Sequence, residues 1–283
     1  MKIPKRIQPL VDDGLVDEVV RRLMSGKEAD VYMVRCGEAI RCAKVYKEAS
    51  QRGFKQAVKY QEGRKVRNSR RARAMEKGSK FGRKQQEETW QTAEVDALYL
   101  LADTGVRVPQ PYDCLNGVLI MELITDEQGE VAPRLNDITL SHQQALEDHA
   151  MLMYYIMRML CAGIVHGDLS EFNVLMDEVG PVIIDLPQAV NAAANNNAKG
   201  MLERDVDNIT HYYSQYAPEL LQTKYGQEIW SLFENGKLQA DTILTGEFTE
   251  ATEAADVDGV MLEINSILAE EQERKLRLQE DND

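Results

Sequence analysis

A polar loop near the middle of the chain carries the residue types that phosphoryl transfer requires. Asp168 and Asn173 stand five positions apart in the run His-Gly-Asp-Leu-Ser-Glu-Phe-Asn, and Asp185 follows Asn173 by twelve residues. Phosphoryl transfer needs a carboxylate that orients or deprotonates the nucleophile, together with oxygen ligands for metal ions. The spacing therefore indicates a phosphoryl-transfer site. A chance turn would explain Asp168 or Asn173 alone, but not the three residues together.

Short apolar segments on both sides of this loop predict the strands that hold it. Residues 162–165 and 174–176 flank the loop, and residues 181–184 predict a third strand that delivers Asp185. The apolar run 151–157 predicts a buried helix leading to the loop, with its methionines in the core. His166, at the start of the loop, is expected to orient it.

Upstream, residues 23–34 predict a strand, a small-residue turn and a second strand, which together form a nucleotide-binding turn. Gly26 permits a tight backbone there, and Ala29 leaves room for a phosphate group. The next strand, Ile-Arg-Cys-Ala-Lys-Val-Tyr, resembles the kinase strand whose lysine holds the α- and β-phosphates, which gives that role to Lys44.

A lysine in this role needs an acidic partner on a helix. Residues 90–101 have helical periodicity, and Glu94 is the candidate partner. Glu87 and Glu88 could replace it, although at the helix start they more naturally complement the helix dipole. Further on, residues 118–124 predict the strand that becomes the hinge between two lobes.

These motifs resemble the RIO family of atypical protein kinases. The resemblance rests on residues 25–32, 166–173 and 183–185, is supported by 132–137 and 203–209, and spans roughly residues 15–215. It implies an α+β fold, namely the compact RIO version of the two-lobed protein kinase fold. It also implies ATP with Mg²⁺ or Mn²⁺, phosphorylation of Ser (including the kinase itself) or ATP hydrolysis, and a link to small-ribosomal-subunit maturation. No winged-helix segment precedes the nucleotide turn, so we expect the branch without that module.

Residue roles follow from the resemblance by position. Asp168 is the catalytic aspartate, Asn173 and Asp185 hold the metal, and Asp185 is expected to accept phosphate transiently as an acyl phosphate. Backbone groups of Glu122 and Ile124 are expected to pair with adenine while Met121 packs against it. The full set of expected nucleotide contacts is Ser25, Gly26, Lys27, Val31, Lys44, Glu94, Met121, Glu122, Ile124, Ser170 and Glu171.

Two departures from ordinary protein kinases limit these inferences. Asp185-Leu186-Pro187 replaces Asp-Phe-Gly and no Ala-Pro-Glu follows, so no peptide-binding platform is visible. His166-Gly167-Asp168 also lacks the arginine that pairs with a phosphorylated activation loop, which argues against switching by such a phosphate.

Two other function classes remain open. Small-molecule phosphotransferases of the aminoglycoside or choline kinase type share His-Gly-Asp with Asn five residues on, but usually carry a longer helical region after the metal aspartate. A nucleotide-sensing scaffold on a ribonucleoprotein is the third class. The intact Lys44, Asp168, Asn173 and Asp185 argue against a dead enzyme, but allow slow turnover used as a switch.

Composition predicts a globular protein with two lobes around one cleft, because the chain has 283 residues of which 43% are apolar. We expect an N-terminal lobe at 1–122, a catalytic lobe at 123–250, and an acidic linker with a terminal amphipathic helix at 251–283. The four cysteines are widely spaced without a Cys-x-x-Cys pair, and no signal-length apolar stretch follows the amino terminus. These features predict a cytoplasmic protein without disulfide, zinc or membrane partner.

Charge is strongly polarised along the sequence. The formal net charge is −14, yet the basic segment, residues 47–84, holds fourteen Lys or Arg against three Glu. This segment predicts docking of RNA, a ribosomal particle or an acidic protein. The alternative is a solvated loop, or one folded onto the acidic body. The protein substrate is not identified by the sequence.

Overall fold

The computed structural model describes residues 3–47 and 93–249. Its contacts separate the chain into one unit, Met1–Glu247, and a second, Phe248–Asp283. Most of the basic segment, Trp90 and the predicted terminal helix lie outside the described residues, so the predictions for them stay predictions. The same holds for a lobe boundary at residue 122.

The N-terminal part is built on a five-stranded antiparallel sheet with the order β1-β2-β3-β5-β4. Its strands are β1 (Glu18–Ser25), β2 (Ala29–Cys36), β3 (Ala39–Tyr46), β4 (Pro111–Leu115) and β5 (Val118–Glu122), accompanied by helix α1 (Gln8–Asp12) and helix α2 (93–103).

Alternation along β3 decides which side chains face the cleft. Ala43 and Val45 belong to the cluster of buried residues that packs on α1, with Ile7 and Leu10. Because successive side chains of a strand point to opposite faces, Lys44 is presented on the other face. The periodic apolar face of α2 packs on that side, with Leu98 and Leu101 buried in the larger core.

The C-terminal part is mainly helical, with short strands that carry the polar loop. Its elements are α3 (His142–Cys161), β6 (Ile164–Val165), β7 (Val174–Met176), β8 (Pro181–Ile183), β9 (Val190–Asn191), α4 (Ala198–Tyr213) and α5 (Tyr225–Glu234). β6 pairs with β9 and β7 with β8, both antiparallel. Within the predicted run 151–157, Met153 and Met157 of α3 are buried and Met151 is half-buried, which confirms that this run packs in the core.

The two-lobed, kinase-like α+β fold expected from the sequence is confirmed. Several strand limits differ from expectation. The first loop strand begins at Ile164 because Gly163 adopts a φ of +77°. The hinge strand ends at Glu122, so Ile124 follows it, and β8 ends at Ile183 instead of residue 184. No helix in the described ranges is both long and apolar enough to cross a bilayer.

Candidate active site

A cleft of about 630 Å³ separates the sheet from the helical part and gathers most of the predicted site residues. Its lining includes the predicted residues Gly26, Lys27, Val31, Lys44, Glu94, Met121, Glu122, Ile124, Asp168, Asn173 and Asp185. Ser25, Ser170 and Glu171 are not part of this lining. Glu171 instead borders a second cavity, beside α4.

Lys44 is the centre of a charged cluster at the back of the cleft. Its ammonium donates to Glu94 Oε1 at 2.5 Å and to Asp185 Oδ1 at 2.6 Å. The hydroxyl of Tyr46 donates to the other carboxylate oxygen of Glu94 at 2.5 Å. Lys44 and Tyr46 therefore bind the two carboxylate oxygens of Glu94, which lies on α2. Glu94 is thus the acidic partner of Lys44, as predicted.

The ionisation of this cluster follows from burial and pairing. Burial opposes the charge of Lys44, but Asp185 and Glu94 outweigh it and raise the pKa of the ammonium. Burial alone would raise the pKa of Asp185, but Lys44 holds that pKa below its ordinary value. The pKa of Tyr46 is raised, first by burial and then by Glu94, so the phenol stays protonated and keeps donating.

Asp185 adopts an unusual backbone conformation directly after β8. Its φ is +67°, in the left-handed region that Asp and Asn tolerate better than most residues. The preceding residue is fixed by a hydrogen bond from the Ile184 amide to the Asn173 carbonyl, 3.0 Å. This geometry turns the Asp185 carboxylate toward Lys44, while 46% of its side-chain surface remains exposed.

His166 is a neutral residue that connects the polar loop to the segment before Asp185. Its Nε2 lies 3.1 Å from the carbonyl oxygen of Ile184, and its Nδ1 accepts from the Asp168 amide at 3.3 Å. Burial lowers the pKa of His166, so the ring is neutral and its one N–H donates to Ile184. The ring thus links the Asp168 loop to the segment before Asp185, the orienting role expected from the sequence.

Asp168 is exposed to the cleft but only partly solvated. Its pKa is raised by burial and by Asp185, against the opposing charge of Arg204. A carboxylate with a raised pKa is a better proton acceptor than one of ordinary acidity. Its position allows it to contact a hydroxyl group entering from solvent.

Asn173 and Asp185, the two predicted metal ligands, both line the cleft. The Asn173 amide nitrogen donates to the Asp168 carbonyl at 2.8 Å, which leaves its oxygen as the group available to a cation. Among the described residues, no three His, Cys, Asp or Glu side chains form a metal-holding group. Two protein oxygens suit Mg²⁺, which commonly completes its shell with water and nucleotide phosphates. The donor set therefore fits the expected ion.

Behind the loop, Asp205 of α4 clamps the backbone, a role that the sequence analysis did not assign. Its buried carboxylate accepts from the amides of Gly167 at 2.7 Å and Leu169 at 3.1 Å. Burial raises the pKa of Asp205 to about 7, although both amides favour the charged form. Asn208 also donates to the Leu169 carbonyl, at 3.0 Å. The sequence contained one indication of this role, because Asp205 and Asn208 lie in the segment 203–209 that supports the resemblance.

The nucleotide turn is closed by its own hydrogen bonds. The Gly26 amide donates to the Ala29 carbonyl at 2.9 Å, and the Lys47 ammonium donates to the Gly26 carbonyl at 2.6 Å. The Ser25 hydroxyl donates to Asp30 Oδ1 at 2.5 Å. Ser25 thus stabilises the turn, and a nucleotide contact by Ser25 stays a prediction, as it does for Ser170 and Glu171.

The hinge is more constrained than the sequence suggested. The Glu122 amide already donates to the Gln110 carbonyl at 2.8 Å, and the Ile124 carbonyl accepts from Ala132 at 3.0 Å. Within the described residues, the Ile124 amide makes no hydrogen bond, so it can donate to a base. The Glu122 carboxylate is bound by both terminal nitrogens of Arg107, at 2.9 and 3.0 Å. Adenine pairing by Ile124 and packing by Met121 stay predictions that this geometry permits.

Comparison with known proteins gives consistent matches. A model of the RIO domain matches residues 30–225. The chain is 32% identical over 210 residues to the RIO-type serine/threonine-protein kinase Rio1 of Haloferax volcanii, covering 73% of this chain and 67% of that protein. It is 30% identical over 214 residues to human serine/threonine-protein kinase RIO1, covering 75% of this chain and 36% of the human protein.

Solved structures show the same fold. A crystal structure of the Rio2 kinase from Chaetomium thermophilum aligns with a TM-score of 0.56 at 19% identity, covering 96% of this chain and 82% of that one. Its ADP/Mg²⁺-phosphoaspartate complex aligns with a TM-score of 0.53 at 22% identity, covering 74% and 59%. The chain thus spans about two thirds of the Haloferax relative but little more than a third of the human one. On the domain match, this chain belongs to the RIO-domain family.

Proposed function

We propose that this protein is an ATP-dependent serine protein kinase of the RIO type, which also transfers the γ-phosphate to water. The observation that carries the proposal is the contact of Lys44 with both Glu94 and Asp185 in a cleft that Asp168 and Asn173 also line. The relatives named RIO-type serine/threonine-protein kinases support it. We place this activity in the cytoplasm.

Each side chain has a separate task in this proposal. Lys44, positioned by Glu94, binds the α- and β-phosphates, while Asp168 accepts the proton of the attacking hydroxyl. Asn173 and Asp185 would hold Mg²⁺ or Mn²⁺, which when bound neutralises charge on the phosphates. Asp205 and His166 keep the loop backbone in place, so that Asp168 needs little rearrangement before transfer.

We further propose a covalent route for hydrolysis. The Asp185 carboxylate attacks the γ-phosphorus, a new P–O bond forms as the bond to ADP breaks, and water then releases phosphate and regenerates the carboxylate. The Chaetomium Rio2 complex contains a phosphoaspartate. In this protein, the partly exposed Asp185 side chain supports the same step. Alkaline hydroxylamine should release label from the wild type; label that resists it would remove this route and leave Ser phosphorylation standing.

Transfer to Ser is tested by incubation with ATP labelled in the γ-phosphate, followed by analysis of phosphoamino acids. Labelled phosphoserine on the protein itself supports the kinase. Labelled free phosphate as the sole product would identify an ATPase, and a labelled small molecule would favour the aminoglycoside or choline kinase class.

We propose that the basic segment docks RNA, for example on a ribosomal particle. Its support is its charge, fourteen Lys or Arg against three Glu within a chain of net charge −14. Changing Arg64, Lys65, Arg67, Arg70, Arg71 and Arg73 to Ser should leave basal ATP turnover nearly intact and weaken RNA binding. The slope of log affinity against log salt should flatten by up to about four units on single-stranded RNA. An unchanged RNA affinity and slope would favour an acidic protein partner.

A further inference from the structure

Arg134 presents a guanidinium group in the cleft, where it contacts few acceptors among the described residues. It pairs with Leu175 in an isolated antiparallel bridge, and it directly precedes the short 3₁₀ turn Leu135–Asp137. Its terminal nitrogen contacts the sulfur of Met24, near the end of β1. A thioether is a weak acceptor, and a guanidinium has five N–H groups. Most N–H groups of this guanidinium therefore have no acceptor among the described residues.

Other arginines near the cleft are bound to oxygen atoms. Arg107 binds two carboxylates, and Arg204 donates to the Gly167 carbonyl. Arg134 has no carboxylate within 4.0 Å among the described residues, although its side chain is partly buried. A partly buried cation without an anionic partner costs free energy, which a bound anion would recover.

The location of Arg134 identifies the class of anion. It lines the same cleft as Asp168, Asn173 and Asp185, and its positive charge helps to lower the pKa of Asp185. Lys44, which lines the same cleft, is already engaged by two carboxylates. A triphosphate bound in this cleft would bring oxygens to a guanidinium, whose planar fork matches phosphate geometry.

We propose that Arg134 binds the terminal phosphates of ATP, replacing the Met24 sulfur with phosphate oxygens, and stabilises the charge on the transferred group. This inference rests on the proposed ATP-dependent activity. The Met24 contact joins β1, which leads into the nucleotide turn, to the segment after the hinge. Nucleotide binding would exchange that contact for stronger, charge-assisted hydrogen bonds on the phosphates.

The test compares Arg134→Met with Arg134→Lys. Met keeps an apolar stem without charge, whereas Lys keeps the charge without the fork. Arg21→Met is the matched control, because Arg21 is an exposed arginine of β1 whose partner, Glu130, lies 3.7 Å away outside the cleft lining. Affinities for ATP, ADP, AMP and adenosine are measured calorimetrically with Mg²⁺, together with single-turnover rates.

We expect Arg134→Met to weaken ATP binding by about 10–100-fold, the loss expected for a hydrogen bond to a charged group. ADP should lose less, and adenosine should bind unchanged. Arg134→Lys should recover part of the ATP affinity, and Arg21→Met should match the wild type. Single-turnover rates should fall in Arg134→Met even with ATP at saturation, because the transferred group loses a donor.

Several outcomes would overturn the inference. An equal loss of affinity for adenosine and ATP in both Arg134 variants would assign Arg134 to the base or ribose, or to folding. ATP affinity and rate at wild-type level in Arg134→Met would remove its phosphate role while leaving the kinase assignment intact. A wild-type protein that binds no ATP would overturn the proposed function and this inference together.

Discussion

Lys44 Nζ donates to Asp185 Oδ1 at 2.6 Å, although 141 positions separate the two residues. The contact joins β3 of the sheet to the turn after β8. It therefore fixes the position of one wall of the cleft relative to the other. It also sets the local ionisation, since the pair raises the pKa of Lys44 and lowers that of Asp185. Lys44 and Asp185, to which we assign phosphate binding and metal binding, are therefore both charged at neutral pH.

Replacing Asp168 by Asn should reduce turnover by roughly 10²–10⁴-fold while the affinity for ATP stays close to that of the wild type. The reason is that the substitution removes the proton acceptor but leaves Lys44, Asn173 and Asp185 in place. Single-turnover kinetics and calorimetric titration with ATP measure the two quantities separately.

Asp207→Asn is the matched control, because Asp207 is an exposed carboxylate of α4 outside the cleft lining. Its turnover should equal that of the wild type. If Asp168→Asn retained full activity, Asp168 could not be the proton acceptor.

Tyr46→Phe should lower the free energy of unfolding by about 1–3 kcal/mol, because it leaves one oxygen of the buried Glu94 without a donor. Urea unfolding monitored by circular dichroism provides the measurement. Tyr99→Phe on α2 serves as control, since Tyr99 is 41% exposed, and should change stability by less than about 0.5 kcal/mol. Equal stability of the two variants would show that the Tyr46 hydroxyl contributes nothing to holding Glu94.

Replacing Asp148 by Asn should raise the free energy of unfolding relative to the wild type, by an amount that increases with pH. Burial, and then Glu147, raise the pKa of the Asp148 carboxyl to about 6, and one of its oxygens has no hydrogen-bond partner within residues 3–47 and 93–249. The raised pKa means that protonated Asp148 favours the folded state below about pH 4 and that this contribution is lost as pH rises through about 6. Asp148→Asn should therefore gain about 1–3 kcal/mol relative to wild type on going from about pH 4 to about pH 8. A stability difference that does not vary with pH would contradict this account.

Replacing Arg107 by Met should lower the free energy of unfolding, because Arg107 binds Glu122 at the end of the hinge strand. Its guanidinium binds Glu122 and also Asp177, which is 3.0 Å away and has 7% of its side chain exposed, and its carbonyl accepts from Ile183 in β8. Arg107→Met would leave two carboxylates without their cation, and should cost about 1–3 kcal/mol after allowance for partial exposure. Adding Glu122→Gln should recover part of the lost stability, because it removes the repulsion between the carboxylates of Glu122 and Asp177.

The control for Arg107 is Arg35→Met, which breaks an exposed pair with Glu18 at 3.5 Å. That variant should lose less than about 1 kcal/mol. Equal losses at Arg107 and Arg35 in urea unfolding would show that the Arg107 cluster is no stronger than a surface ion pair.

The fold and the cleft were predictable from the sequence because short motifs carry local geometry. Gly26, Lys44, Asp168, Asn173 and Asp185 each stand in a run whose strand or turn is visible from its own residues. The structure then shows that these separate runs meet in one cleft.

The supporting contacts were not predictable, since they depend on tertiary pairing. Nothing local indicates that Tyr46 would hold Glu94 or that Asp205 would bind the amides before and after Asp168. Nor does anything local indicate that Arg134 would have no anionic partner in the part of the chain that the structure describes. The hydrogen bond from the Ser25 hydroxyl to Asp30 was likewise not predicted, and a nucleotide contact by Ser25 stays a prediction. Sequence motifs identify reactive groups, whereas the residues that position them are distributed along the chain.

The most direct test of the central claim is a comparison of labelled products from wild type and Asp168→Asn. Both proteins are incubated with Mg²⁺ and ATP labelled in its γ-phosphate, and the protein is hydrolysed to separate its phosphoamino acids. The account predicts phosphoserine in the wild type and its loss in the variant, at equal occupancy by ATP. Absence of phosphoserine from the wild type, or equal labelling of the two proteins, would contradict it.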